Sequence, residues 1–132
     1  MDGQRAGPLE ATGGAQMTPR LVYVSGPISA GPLEHNLRAA LDVGDWVREL
    51  GHAALIPHLD ILWQFVSPHS WEENLAHDEI ILERCDALYR VPGDSPGADR
   101  EMEFARRHDI PVFTSLRDLH AFLRKGYNNG TT

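Results

Sequence analysis

Cysteine occurs once in the 132 residues, positive charge is in deficit, and no long hydrophobic run is present. The single Cys85 cannot close an internal disulfide, and its place in an apolar helical pattern reads as a small buried hydrophobe rather than a nucleophile. Lys and Arg number 12 against 19 Asp and Glu, a formal charge of -7. Neutralising a phosphate backbone takes a basic face, so neither a nucleic-acid polymer nor an anionic membrane is the expected partner. No apolar stretch is long enough for a signal peptide or a membrane span, and with a lone thiol the expected location is the cytoplasm. Internal repeats are absent too, as are the Gly-Lys-Ser/Thr ending of a P-loop and the Gly-x-Gly-x-x-Gly spacing of a dinucleotide site.

What is present reads as one modest domain, since 42% hydrophobic residues over this length supply a single core. Residues 1–19, rich in Gly, Ala, Pro and Thr, are expected to be a disordered leader, and 125–132 a polar tail that frays, leaving 20–124 as the folded unit. Leu21 to Ser25 is a β-rich run closed by Gly26-Pro27, and a helix follows with Leu33, Leu37, Ala40, Leu41, Gly44 and Val47 at helical spacing. A second short strand, Ala53 to Ile56, runs into a long aromatic loop, Pro57 to Ser70. A helix from about Trp71 to Cys85, a strand Ala87 to Val91, a helix from about Gly97, a strand Pro111 to Phe113 and a final helix complete the order. Strand and helix alternate throughout. The expected fold is therefore α/β and Rossmann-like (flavodoxin-like), with a parallel sheet of four to five strands covered on both faces. Ligands in such sheets lie beyond the carboxyl ends of the strands, which singles out the loops after Val24, Ile56 and Val91.

Chemistry-bearing residues fall on those loops and the helices they open. On the Trp71 helix the apolar stripe Trp71, Leu75, Leu82 and Cys85 is interrupted by Asp78, and a carboxylate on a buried face needs a partner or a ligand. A structural acid pairing with an arginine would satisfy the same pattern. In the run from Asp94 to Ala105, Glu101 shares a helix face with Gly97, Ala98 and Ala105, whereas Glu103 points about 200° away on 3.6-residue geometry. The helix dipole favours an ionised Glu101, as a nucleophile needs, though a solvated first-turn acid has the same origin. Two carboxylates near one sugar carbon are the equipment of glycoside chemistry. The turn Ser25-Gly26-Pro27-Ile28-Ser29 offers hydroxyls and close backbone approach to an anion, or is a plain strand-to-helix turn. Trp63 and Phe65 can stack on a base or pack their loop onto the sheet. His58, Asp60, His69, His77 and Asp78 gather possible metal ligands, but the all-helical His-Asp phosphohydrolases they echo do not alternate strand and helix, so no metal and no cofactor is expected.

These residues together resemble the nucleoside 2-deoxyribosyltransferase superfamily, and within it the 2'-deoxynucleoside 5'-phosphate N-hydrolase branch. The resemblance runs from about Leu21 to Phe113. It rests on Tyr23-Val24-Ser25-Gly26-Pro27-Ile28, on the helix from Asp78 to Cys85 ending in Asp86, and on Ser95-x-Gly97-x-x-x-Glu101-x-x-x-Ala105. It implies that Glu101 is the nucleophile toward the sugar C1' and Asp78 the assisting acid. Ser25, Gly26, Ile28, Ser29, Ser95, Gly97 and Trp63 would bind substrate. Where relatives acting on free nucleosides have an acid six residues before the glutamate, Ser95 stands here, which implies a nucleoside 5'-monophosphate. Two positions depart from the pattern. Ser29 replaces an arginine and Glu103 a glycine, so phosphate contacts would pass to Arg20, Arg100 or a neighbouring subunit, or phosphate would not be bound at all. The resemblance further implies a homodimer or larger homo-oligomer, with deoxyribosyl transfer or nucleotide and ADP-ribose binding without turnover as the alternatives to hydrolysis.

Overall fold

The computed structural model describes residues 18–128, with side chains through 125. Strand β1 (Leu21–Ser25) leads to helix α1 (Leu33–Glu49), strand β2 (Ala53–Leu55), a 3-10 turn (Pro57–Asp60) and helix α2 (Ile61–Val66). Helix α3 (Trp71–Leu82), strand β3 (Ala87–Arg90), helix α4 (Pro96–Arg107), strand β4 (Val112–Phe113) and helix α5 (Leu116–Asn128) follow. All three strand pairings are parallel and the order is β2-β1-β3-β4, which gives the four-stranded Rossmann-like sheet expected from the alternation.

Alternation along β1 divides the core in two. Val22 and Val24 face Ala40, Val43 and Val47 of α1 and Leu119 and Leu123 of α5. Tyr23 faces the other way, onto Leu82, Cys85, Leu88, Ala105 and Ile110 beneath α3 and α4. Cys85 is buried there, and burial pushes its thiol up to about 12, as befits a packed hydrophobe.

Three expectations are corrected. The segment from Pro57 to Ser70 is not a loop but a 3-10 turn and a short helix, because Pro57 presets the first turn and the Gln64 side chain closes the end against the His69 backbone N–H and C=O at 3.0 and 2.9 Å. Its apolar residues lack helical periodicity and stay outside the core, with Phe65 83% exposed. Trp71, read as part of a buried stripe, is 55% exposed. Helix α5 runs on to Asn128, so part of the expected tail is helical, while 129–132 and 1–17 lie outside the described residues. Among the described residues no helix is long and apolar enough to cross a membrane.

Strand β1 lies between β2 and β3, so the connections leaving β1 and β3 diverge to opposite faces and open a crevice at their carboxyl ends. The two loops meet closely there. A Cβ on Gly26 would sit 2.8 Å from Val91 Cβ, and one on Gly93, at φ +125°, would sit 2.7 Å from Pro27 Cγ.

Candidate active site

Glu101 enters the crevice from the second turn of α4. Ser95 caps that helix, its hydroxyl accepting the Ala98 N–H at 3.1 Å, and Pro96 occupies the first helical position, where no N–H is needed. Glu101 is only 6% exposed, so the solvated first-turn alternative is excluded. Tyr23 donates its hydroxyl to Glu101 Oε2 at 2.6 Å and Ser25 donates to Oε1 at 2.8 Å. Both donors stand two residues apart on β1 and therefore on one face of the strand. Glu103, as expected, faces solvent.

Burial works against the ionised carboxylate that the helix dipole favours. Burial pushes Glu101 up to about 7, against the two hydrogen bonds that favour the ionised form, with the Asp78 charge adding to the rise. Burial and the Glu101 carboxylate in turn hold the Tyr23 phenol protonated, well above its ordinary range.

Asp78 comes from the third turn of α3, which Ser70 and Glu73 start with a reciprocal capping box. Its side chain is 16% exposed. Burial, then the neighbouring Asp60 charge, pushes it up to about 6, while His77 opposes the rise. Both acids thus sit near neutrality for the same first reason, loss of water.

Val24, Ser25, Gly26, Ile28, Ser29, Ser95, Gly97, Asp78 and Glu101 line one cavity of about 390 Å³. Eight of the nine expected site residues are brought together here. The ninth, Trp63, lies in an adjoining lobe of about 210 Å³ with Asp60, Gln64, His69, Glu73 and His77. The two lobes share Ile28, Pro57, His58, Asn74 and Asp78, so Asp78 stands between them.

Five residues line or support the site in roles that the sequence did not reveal. Tyr23 stands two residues before Ser25 on β1, and its hydroxyl finds its acceptor only once α4 lies over the strand. Trp71 and Asn74 line the larger lobe from α3 and carry no signal of their own. Asn36 donates to the Ile28 and Ala30 carbonyls at 3.2 and 2.7 Å and holds the first loop onto α1. His58 donates Nε2–H to the Pro27 carbonyl at 2.9 Å, and burial lowers its pKa so that it stays neutral.

Arg20 and Arg100, expected to contact phosphate, line neither lobe. Arg100 is held by Glu72 at 2.8 Å and Glu79 at 3.1 Å. Arg20 precedes β1 at the opposite end of the sheet, its guanidinium 4.5 Å from the Phe122 ring centre. Buried Arg90 pairs with Asp99 at 2.8 Å and donates to the Val91 and Gly93 carbonyls, so it braces the loop that leads to Ser95. Asp60, His77 and Asp78 each bring one atom to within 4.8 Å of the others, the only such group among the described residues. Asp60 and His77 are open to solvent, which makes this an acid and imidazole cluster on the lobe wall rather than a closed ligand cage.

The chain is thus an α/β domain with a paired-carboxylate cavity at the switch point of its sheet. It belongs to the family described as a domain of unknown function, DUF4406, whose pattern matches residues 20–114. No curated protein matches the chain. A solved 2-deoxyribosyltransferase from the psychrotolerant bacterium Bacillus psychrosaccharolyticus shares the fold at a TM-score of 0.57 and 21% identity, over 70% of this chain and 69% of that one.

Proposed function

We propose that the chain is an N-glycosidase that cleaves the base–sugar bond of a (deoxy)nucleoside 5'-monophosphate through a glycosyl-enzyme on Glu101. The observation that carries the reading is a buried glutamate held by Tyr23 and Ser25 in one cavity with a second carboxyl, Asp78. Glu101 attacks C1' as the C1'–N bond breaks, the bonding pair leaves with the base, and Asp78 supplies a proton to that base. Water then attacks C1', returns a proton to Asp78 and frees the Glu101 carboxylate. The sugar sits in the larger lobe and the base in the smaller one beside Trp63. Ser95 and the Gly97 N–H at the start of α4 receive the 5' end.

A second reading, an unphosphorylated nucleoside as substrate, is favoured by the lining itself. Asp60, Glu73, Asp78, Asp94 and Glu101 contribute acids to the two lobes, and no Lys or Arg lines either among the described residues. A panel of ribo- and deoxynucleosides and their monophosphates, with base release followed by chromatography, decides between the two. Release from monophosphates alone supports the first reading, release from free nucleosides the second. Product formation on adding a free-base acceptor marks transfer, and binding without release of any base contradicts the glycosidase.

A further inference from the structure

Asp60 has no part in the chemistry above, yet it is the charged group closest in kind to Asp78. It ends the 3-10 turn that Pro57 opens, and its carboxylate lies with those of Asp78 and the imidazole of His77 inside a 4.8 Å cluster. Two carboxylates this close resist being ionised together, and the less hydrated one takes the proton first. Asp60 is exposed, whereas the Asp78 side chain is 16% exposed, so the proton belongs on Asp78.

The other charged groups that act on Asp78 pull in both directions. From its own helix, His77 Nδ1 at 3.6 Å from Oδ1 favours the charged form and Glu79 disfavours it, although Arg100 at 3.1 Å offsets the Glu79 charge. Glu101 reaches it from α4 as a further like charge when ionised, and Tyr23 from β1 is neutral. Of the like charges that act on Asp78, Asp60 outweighs Glu79, and it stands with Asp78 on the wall of the smaller lobe.

We propose that Asp60 is a positioning residue that keeps a proton on Asp78 for delivery to the departing base, an inference that rests on the glycosidase reading. A base entering the smaller lobe excludes water from the pair and raises the cost of ionising both carboxyls together. As the C1'–N pair moves onto the base nitrogen, the Asp78 proton moves to the base and the Asp78 carboxylate is left ionised. The Edge-on contact of His77 with Trp63, ring centres 5.4 Å apart, fixes the imidazole beside the pair.

The experiment compares two leaving groups in wild type, Asp60→Asn and Asp60→Glu. Nucleoside substrates release a base that must be protonated, while a 4-nitrophenyl deoxyriboside releases a phenolate that leaves without a proton. Asp60→Asn is expected to lower the ratio of base release to nitrophenolate release roughly tenfold at pH 7.5, and Asp60→Glu to restore it. The carboxyl carbon of Asp78, followed by NMR in the unliganded protein, is expected to titrate at lower pH in Asp60→Asn. An equal loss on both substrates, or an unmoved Asp78 midpoint, overturns the proposal. If wild type releases neither group, the glycosidase reading fails by itself, and the NMR midpoint still decides whether Asp60 holds the proton on Asp78.

Discussion

Tyr23 and Glu101, 78 residues apart in sequence, are joined by a 2.6 Å hydrogen bond from the phenol to Oε2 inside the core. A strand whose outer function is to pair with β2 and β3 thereby orients the carboxylate that α4 carries. The bond also opposes the burial that pushes Glu101 up to about 7.

Removing that donor shifts the balance toward protonated Glu101. The proposed mechanism needs Glu101 ionised and Asp78 protonated, and with the two near 7 and 6 the rate is expected to be greatest between about pH 6 and 7. In Tyr23→Phe the ring still fills the core, so stability falls by only about 1 kcal/mol, but the rate at pH 6.5 is expected to drop roughly tenfold and to approach wild type above about pH 9. A pH–rate profile from 5 to 9 checks this, and a uniform loss at all pH values would contradict it.

Glu101→Gln is expected to stabilise the fold at alkaline pH while abolishing turnover. The folded pKa of Glu101 lies above its ordinary 4.5, so folding keeps a proton that the unfolded chain loses, and stability declines as pH rises from about 4.5 to 7. Above that window the ionised group costs on the order of 2 to 3 kcal/mol, which Gln does not. Thermal melts should place the variant roughly 5 to 10 °C above wild type at pH 8, with the gap closing at pH 5. A gap that is the same at both pH values would show that the carboxylate is not strained by burial.

These expectations rest on parts of the site that differ in how legible they were in the sequence. The loops after β1 and β3, with Ser25, Gly26, Ile28, Ser29, Ser95 and Gly97, followed from strand-helix alternation, because topology alone sends both to one end of the sheet. Asp78 was legible as a charge on an apolar stripe, and Glu101 from the small residues sharing its helix face. The protonation of Glu101 was not, since dipole and burial act in opposite directions and only tertiary packing sets the burial. Nor was Tyr23, whose hydroxyl has a role only once α4 lies over β1. The Pro57 to Ser70 segment failed for another reason: its apolar residues lack a period because α2 does not bury a face in the core. Arg20 and Arg100 were assigned to phosphate on charge alone, and charge gives no position along the sheet.

Ser95 can be separated from its capping role by changing it to another good cap. Asp caps as well as Ser, so Ser95→Asp is expected to melt within about 2 °C of wild type. Its carboxylate facing the cavity should raise KM for a monophosphate at least about tenfold and leave an unphosphorylated nucleoside nearly unaffected. Equal effects on both substrates would remove Ser95 from the 5' end of the site.

The two glycines of the cavity predict opposite outcomes. Gly26→Ala places a Cβ 2.8 Å from Val91 Cβ, where strand-end and loop cannot separate freely, and should cost about 1 to 3 kcal/mol of stability. Gly97→Ala meets nothing nearer than Leu75 Cδ2 at 3.6 Å and Trp71 Nε1 at 3.7 Å. It should leave the melting temperature unchanged or slightly raised while weakening substrate binding, since the methyl occupies the cavity wall. Denaturant titration beside a binding isotherm distinguishes the pair, and comparable destabilisation of both would contradict the packing described.

The central claim, that Glu101 forms a covalent bond to the sugar, is tested most directly by intact-protein mass spectrometry after rapid acid quench of turnover, followed by peptide mapping. The account predicts a transient mass increase equal to the glycosyl group, located on Glu101 and missing from Glu101→Gln, which also releases no base. An adduct on another residue, or base release by Glu101→Gln at the wild-type rate, would contradict it.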